Sequence, residues 1–235
     1  MMKLLFKPTF FTLLLTSFAL ISKAQIGYDY AQYDFGLGGS LNKVYGDAET
    51  IKNKAGINVG FTYNATPFVN YIVEIQSGNL EGGDIQTKSG RYFKNSYTAF
   101  LFRGQLQAGE LIDYSRSGFM NAIKNLYISG GLGYIINDIK AVNRVSEITP
   151  GFFTDGLDKS NELLLPLRLG YELKFFNQYN EPSFKIDLGA SYIHDFGDNM
   201  DGFAAGTGKD LLIQYSVSFK FALGGVTSYR KQIRY

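Results

Sequence analysis

The chain has 235 residues with no Cys, no Trp, one His and 27 Gly, and its 16% aromatic content is all Tyr and Phe. That composition fits one mid-sized domain rich in strands and turns, and the missing cysteine excludes disulfides, thiolate chemistry, cysteine-ligated zinc and a lipid anchor on an N-terminal cysteine. The formal charge of +2 includes Lys3, Lys7 and Lys23 and becomes −1 without them, so a nucleic-acid partner is not expected.

At the N-terminus, Lys3 and Lys7 precede an apolar run from Thr9 to Ile21 and then Ser22-Lys23-Ala24. A basic flank, a short apolar run and small residues placed three before and immediately before a cut are the layout of a secretory signal peptide. The run falls short of the roughly 20 apolar residues that span a bilayer. Residues 1–24 are therefore expected to be removed, leaving Gln25 first.

From there the chain alternates apolar and polar residues almost continuously, which predicts strands. The first carries Tyr33, Phe35 and Leu37 on one face and Asp34, Gly36 and Gly38 on the other. GINVGFTYNATPFVNYIVEIQSG supplies two more around a tight turn, with Val59, Phe61, Val73 and Ile75 against Asn58, Gly60, Glu74 and Gln76. A fourth sets Phe100 and Phe102 against Tyr97 and Arg103, and a fifth sets Leu132 and Tyr134 against Gly131 and Gly133. ELLLPLRLGYELKF places Leu165, Leu167 and Leu169 opposite Arg168, Glu172 and Lys174. The last two strands put Ile186 and Leu188 opposite Lys185 and Asp187, then Val217 and Phe219 opposite Lys220. Several reach the 9 to 11 residues (roughly) that a tilted strand needs to cross hydrocarbon.

Long polar links, 43–54, 80–91, 141–160 and 196–209, alternate with the connections 65–68, 108–124 and 176–181. The 108–124 link has room for a short amphipathic helix with Phe119 and Ile123 on one side. Long loops on one rim and short turns on the other characterise transmembrane barrels.

Which face points inward follows from the charges. Asp34, Glu74, Glu172 and Asp187 share the polar face with Arg103, Arg168, Lys174, Lys185 and Lys220. Isolated in an apolar core each would be very costly, whereas in a narrow lumen they pair with one another. The other face is apolar on every strand, which an aqueous surface does not tolerate. Val59, Phe61, Val73, Ile75, Phe100, Phe102, Leu132, Leu165, Leu167, Leu169, Ile186, Leu188, Val217 and Phe219 are accordingly expected to face lipid. The predicted fold is all-β, an eight-stranded antiparallel up-and-down transmembrane barrel with a plugged lumen.

In YNATPFVNYIVEIQSGNLEGG, NLYISGGLGYIIND and ELLLPLRLGYELKF the chain resembles the small outer-membrane barrels of the OmpA/OmpX type, especially their counterparts in the Bacteroidota. The resemblance spans residues 25–223. It implies an outer-membrane location, lipid as the surrounding partner, insertion by the barrel assembly machinery, and a surface ligand for the long loops. It also implies a non-enzymatic role in envelope integrity, surface binding or small-solute passage. One departure is that such barrels usually end on an aromatic in the last strand, whereas GGVTSYRKQIRY follows here; residues 224–235 read as a solvated basic tail.

Little in the sequence suggests chemistry, and no cofactor, metal or catalytic residue is expected. His194, the only histidine, adjoins Asp195, but neighbours in a strand point to opposite faces and cannot form an orienting pair. Asp195, Asp198, Asp201 and Asp210 do not have the spacing of a calcium loop, so a solvated acidic loop is expected. Phe152 and Phe153 stand in a polar loop, either as an adhesive tip or folded over the mouth. Two rivals to a non-enzymatic barrel are an outer-leaflet lipid-modifying enzyme built on His194 and a secreted lipocalin-like binder. The second requires the opposite orientation, apolar inside and polar outside.

Overall fold

A strand with one polar and one apolar face leaves backbone donors and acceptors on both edges, and closing the sheet on itself satisfies them all. A computed structural model, which describes residues 27–148, 151–178, 180–205 and 208–230, shows this closure. The strands are β1 (Gly27–Tyr45), β2 (Lys54–Asn64), β3 (Val69–Gly83), β4 (Tyr92–Gln107), β5 (Leu126–Asn143), β6 (Lys159–Phe176), β7 (Pro182–Asp195) and β8 (Leu211–Arg230). They form a closed eight-stranded barrel in sequence order, and every neighbouring pair is antiparallel. The expected signal peptide lies outside the described residues.

Several strands run further than the alternation suggested. β1, β3, β5 and β6 take residues from what read as long loops, and β8 continues through Gly224 to Arg230, pairing Val226 with Ala31 and Arg230 with Gly27. The expectation of a solvated tail is thus corrected over residues 224–230, because the first residues of β1 need a partner and β8 supplies it, while 231–235 lie outside the described residues. Gly224, at φ 82, sits where this extension begins.

Turns on one rim are tight. Thr66 Oγ1 accepts from the amides of Phe68 and Val69 at 3.1 and 2.9 Å, closing the β2–β3 turn. The β4–β5 connection holds two short helices, α1 (Ala108–Leu111) and α2 (Gly118–Ile123), and the Ser117 side chain caps the second by accepting from Met120 N. The α2 helix is the one expected, but Phe119 is 69% exposed and so does not anchor it.

The inward positions are tiered. Toward the short-turn rim they are polar and charged. Toward the long-loop rim an apolar cluster crosses the bore, made of Tyr97, Leu101, Ile135, Leu164, Ile193 and Leu212 with Met200 and Phe203 from the β7–β8 loop. Outside, Phe61, Tyr33, Tyr63 and Tyr71 form a row in that order, with ring centroids 5.6 to 6.4 Å apart, and Phe184 stands among Phe175, Phe219 and Phe221. Both rows lie near the short-turn rim, where aromatic girdles meet a bilayer interface.

Candidate functional site

In the charged tier, Arg168 is 5% exposed and reaches several acceptors at once. Its Nη2 lies 2.6 Å from Asp187 Oδ1, its Nε donates to the Tyr127 hydroxyl at 2.7 Å, and its Nη1 donates to Ser216 Oγ. The Tyr127 hydroxyl in turn donates to Asp187 Oδ1 at 2.6 Å. Gly189 makes this possible, since a Cβ there would come within 2.5 Å of the guanidinium.

Lys220 joins Asp187 (2.6 Å) to Glu172 (2.9 Å), and Lys185 joins Asp34 (2.6 Å) to Glu172 (4.0 Å). Lys174 lies 3.6 Å from Glu172, donates to Pro67 O and Gln107 Oε1, and sits over the Phe68 ring. Glu74 and Arg103 form their own pair, which Gln76 connects to Gln214. Every residue of the expected lumen set is therefore inside the barrel and in an ion pair. Burial of a charge in a low-dielectric bore is tolerable only on those terms.

Outward-pointing positions are apolar around the wall. Val59, Phe61, Val73, Ile75, Phe100, Phe102, Leu132, Leu167, Leu169, Leu188, Val217 and Phe219 are exposed, whereas Leu165 and Ile186 are half-covered by neighbours. Tyr171 turns its hydroxyl onto Ala122 O at 2.6 Å.

Inward apolar residues are what the alternation missed. The signal was present in Leu163-Leu164-Leu165, Ile135-Ile136 and Leu211-Leu212-Ile213, where consecutive apolar residues make both faces apolar over part of the strand. Pro166 follows directly after one such run, and the β5–β6 ladder skips from Gly130 opposite Leu167 to Gly133 opposite Leu164. A residue without an N–H cannot donate into that ladder.

The long-loop mouth overturns another expectation. The acidic loop is not solvated: Asp195 and Asp201 are completely buried and Asp210 is 3% exposed. Asp210 Oδ2 accepts from Met200 N and Asp201 N at 2.8 and 3.3 Å, and the two oxygens of Asp201 accept from Phe203 N (2.9 Å) and Asp47 N (2.7 Å). These bonds pull Met200 and Phe203 down onto the apolar tier, where Phe203 meets Phe93 edge-on and lies under the Arg91 guanidinium. Burial, with each carboxyl beside another, pushes Asp201 up to about 7 and Asp210 up to about 8.

His194 and Asp195 do point apart. The His194 ring packs edge-on against Phe196 outside, while Asp195 Oδ1 faces inward and accepts from Gly197 N at 3.0 Å. Phe152 and Phe153 are exposed rather than folded over the mouth, on a hairpin closed by the Val145–Phe153 bridge. Among the described residues no group of His, Cys, Asp and Glu has the arrangement of a metal site.

No family model and no curated protein matches the chain. Among solved structures it is similar to Neisserial surface protein A at 9% identity, covering 82% of this chain and 98% of that one with a TM-score of 0.48. It is also similar to Ail, the attachment invasion locus protein of Yersinia pestis, at 12% identity, 82% and 98% coverage and a TM-score of 0.44. The outer membrane protein OprG from Pseudomonas aeruginosa is similar at 13% identity, 88% and 99% coverage and a TM-score of 0.38.

Proposed function

We propose that the chain is an integral outer-membrane barrel that acts without catalysis, as a structural and surface-binding element whose lumen does not conduct. The observation that carries this reading is the filling of the bore. A paired charge network, an apolar tier above it and a loop seated on that tier succeed one another along the axis. The exposed apolar wall supports a lipid surround, because an uninterrupted apolar exterior on a closed barrel has no other stable solvent. Surface binding is favoured within this reading by the β5–β6 hairpin, which holds Val145, Ile148, Phe152 and Phe153 exposed beyond the rim. The polar interior also speaks against a lipocalin-like binder.

Refolded protein in planar bilayers at neutral pH is expected to show no steady current, and folding, read as the gel shift between boiled and unboiled samples, is expected to require lipid or detergent. Large, stable currents would overturn the closed lumen. Native folding in plain buffer would overturn the membrane assignment.

A further inference from the structure

Among the described residues, no ion pair neutralises the acidic residues buried at the long-loop mouth. A Cβ built on Gly46 would lie 2.3 Å from Asp210 Oδ1 and 2.4 Å from Asp201 Oδ2, so these two carboxyl oxygens converge on one point. The other oxygens of the pair accept from backbone amides, and Asp201 Oδ2 itself also accepts from Asp47 N at 2.7 Å. A second pair lies beside it. Asp195 is fully buried, its Oδ2 has no hydrogen-bond partner, and the carboxyl adjoins Glu162, whose Oε1 already accepts from the amides of Asp198 and Asn199.

The surrounding charges do not neutralise either pair. Asp47, from the β1–β2 loop, adds a carboxylate that accepts from Ala205 N. Lys209, in the loop itself, acts electrostatically on Asp198. Arg91, from the β3–β4 loop, donates to Asp47 O and Thr154 Oγ1, and Arg144, from the β5–β6 loop, donates to Gly202 O and pairs with Asp158. Two carboxylates that meet in a desolvated place coexist only if they share a proton.

We propose that the β7–β8 loop, through its described residues 196–205 and 208–210, is a proton-operated latch. Its paired carboxyls hold it in the mouth while they share protons and release it as they ionise, baring the apolar tier under Met200 and Phe203. The direction follows from linkage. A carboxyl whose docked pKa is raised favours docking fully below the ordinary carboxylate pKa of about 4, and that preference is lost as pH rises through the docked value. With Asp201 at about 7 and Asp210 at about 8, release falls between about pH 4 and about pH 8.

Because the chain has no cysteine, a spin label on Gly208→Cys reports on this loop alone, and a Cβ at Gly208 meets open space. In the detergent-refolded barrel the mobile fraction of the label is expected to rise reversibly, by about tenfold or more, from about pH 5 to about pH 9. The heat-dependent gel shift should persist throughout. In Asp210→Asn one amide oxygen still accepts from Met200 and Asp201 while the new N–H donates to the Asp201 carboxylate, so the rise in mobility should be clearly smaller than in the wild type. Asp195→Asn, which removes the other shared proton, should weaken the response without abolishing it. An unchanged wild-type spectrum, a response in Asp210→Asn equal to that of wild type, or loss of the whole barrel at about pH 9 would each overturn the latch. If Asp210→Asn does not fold, the wild-type titration and Asp195→Asn decide the matter.

Discussion

Leu167 and Arg168 are consecutive in β6 and experience opposite surroundings, the first exposed on the wall and the second buried among Asp187, Tyr127 and Ser216. Placing Arg at Leu167 puts a charge where hydrocarbon is proposed, at a cost of about 2 to 4 kcal/mol near mid-depth. Replacing Arg168 with Leu takes one partner from the buried Asp187 carboxylate and removes the donor to the Tyr127 oxygen. Breaking a buried pair typically costs about 3 to 5 kcal/mol, and Lys220, still 2.6 Å from Asp187, lowers that figure here. Both substitutions are therefore expected to shift the urea midpoint of the lipid-folded barrel downward by comparable amounts. A neutral Arg168→Leu would mean that water fills the network and offsets the loss. Both side-chain directions follow from alternation. Tyr127 and Ser216 close around the guanidinium, and no local pattern announces that these residues from β5 and β8 will converge there.

At the scale of elements, β4 and β5 approach most tightly where glycine permits. A Cβ on Gly131 would stand 1.9 Å from Phe102 O and 2.8 Å from Arg103 Cα, both backbone atoms that move only if the strands part. On the opposite face a Cβ on Gly104 would meet nothing nearer than Gly130 O at 4.0 Å. Gly131→Ala is expected to cost about 1 to 3 kcal/mol, the usual range for overpacking. Gly104→Ala is expected to be close to neutral. Refolding yield and urea midpoint of the two variants compare them directly, and equal tolerance would show that the β4–β5 seam is looser than its register indicates. The strand faces were legible in the sequence. The strand ends were less so, because the pairing that extends β8 to Arg230 is dictated by β1, nearly two hundred residues away.

For the whole molecule, export and closure are separate problems. The N-terminal segment fits a cleaved signal, so the intact mass of envelope-extracted protein is expected to correspond to a chain beginning at Gln25, and a mass that includes Met1 to Ala24 would refute this. Closure makes the barrel wall continuous and at the same time isolates its interior. The bore is then filled twice, by ion pairs below and apolar side chains above, with the acidic loop set on top. An interior built this way has a rigid lower part and one upper component, the β7–β8 loop, whose attachment depends on protons.

The sequence by itself determined the period of every strand, the segregation of charge to one face, and hence a barrel with its apolar side out, because side-chain direction in a strand is fixed locally by alternation. Only the tertiary structure decided which charges meet. It also decided that Leu101, Ile135, Leu164, Ile193 and Leu212 form an apolar tier in an otherwise polar bore, and that Asp195, Asp201 and Asp210 are buried rather than solvated. These outcomes depend on register around the ring and on where a loop returns, and the physical reason they escape local reading is that burial is a property of the surroundings. The same aspartate is a hydrated anion on an open loop and a shared-proton carboxyl when a neighbouring strand carries another beside it.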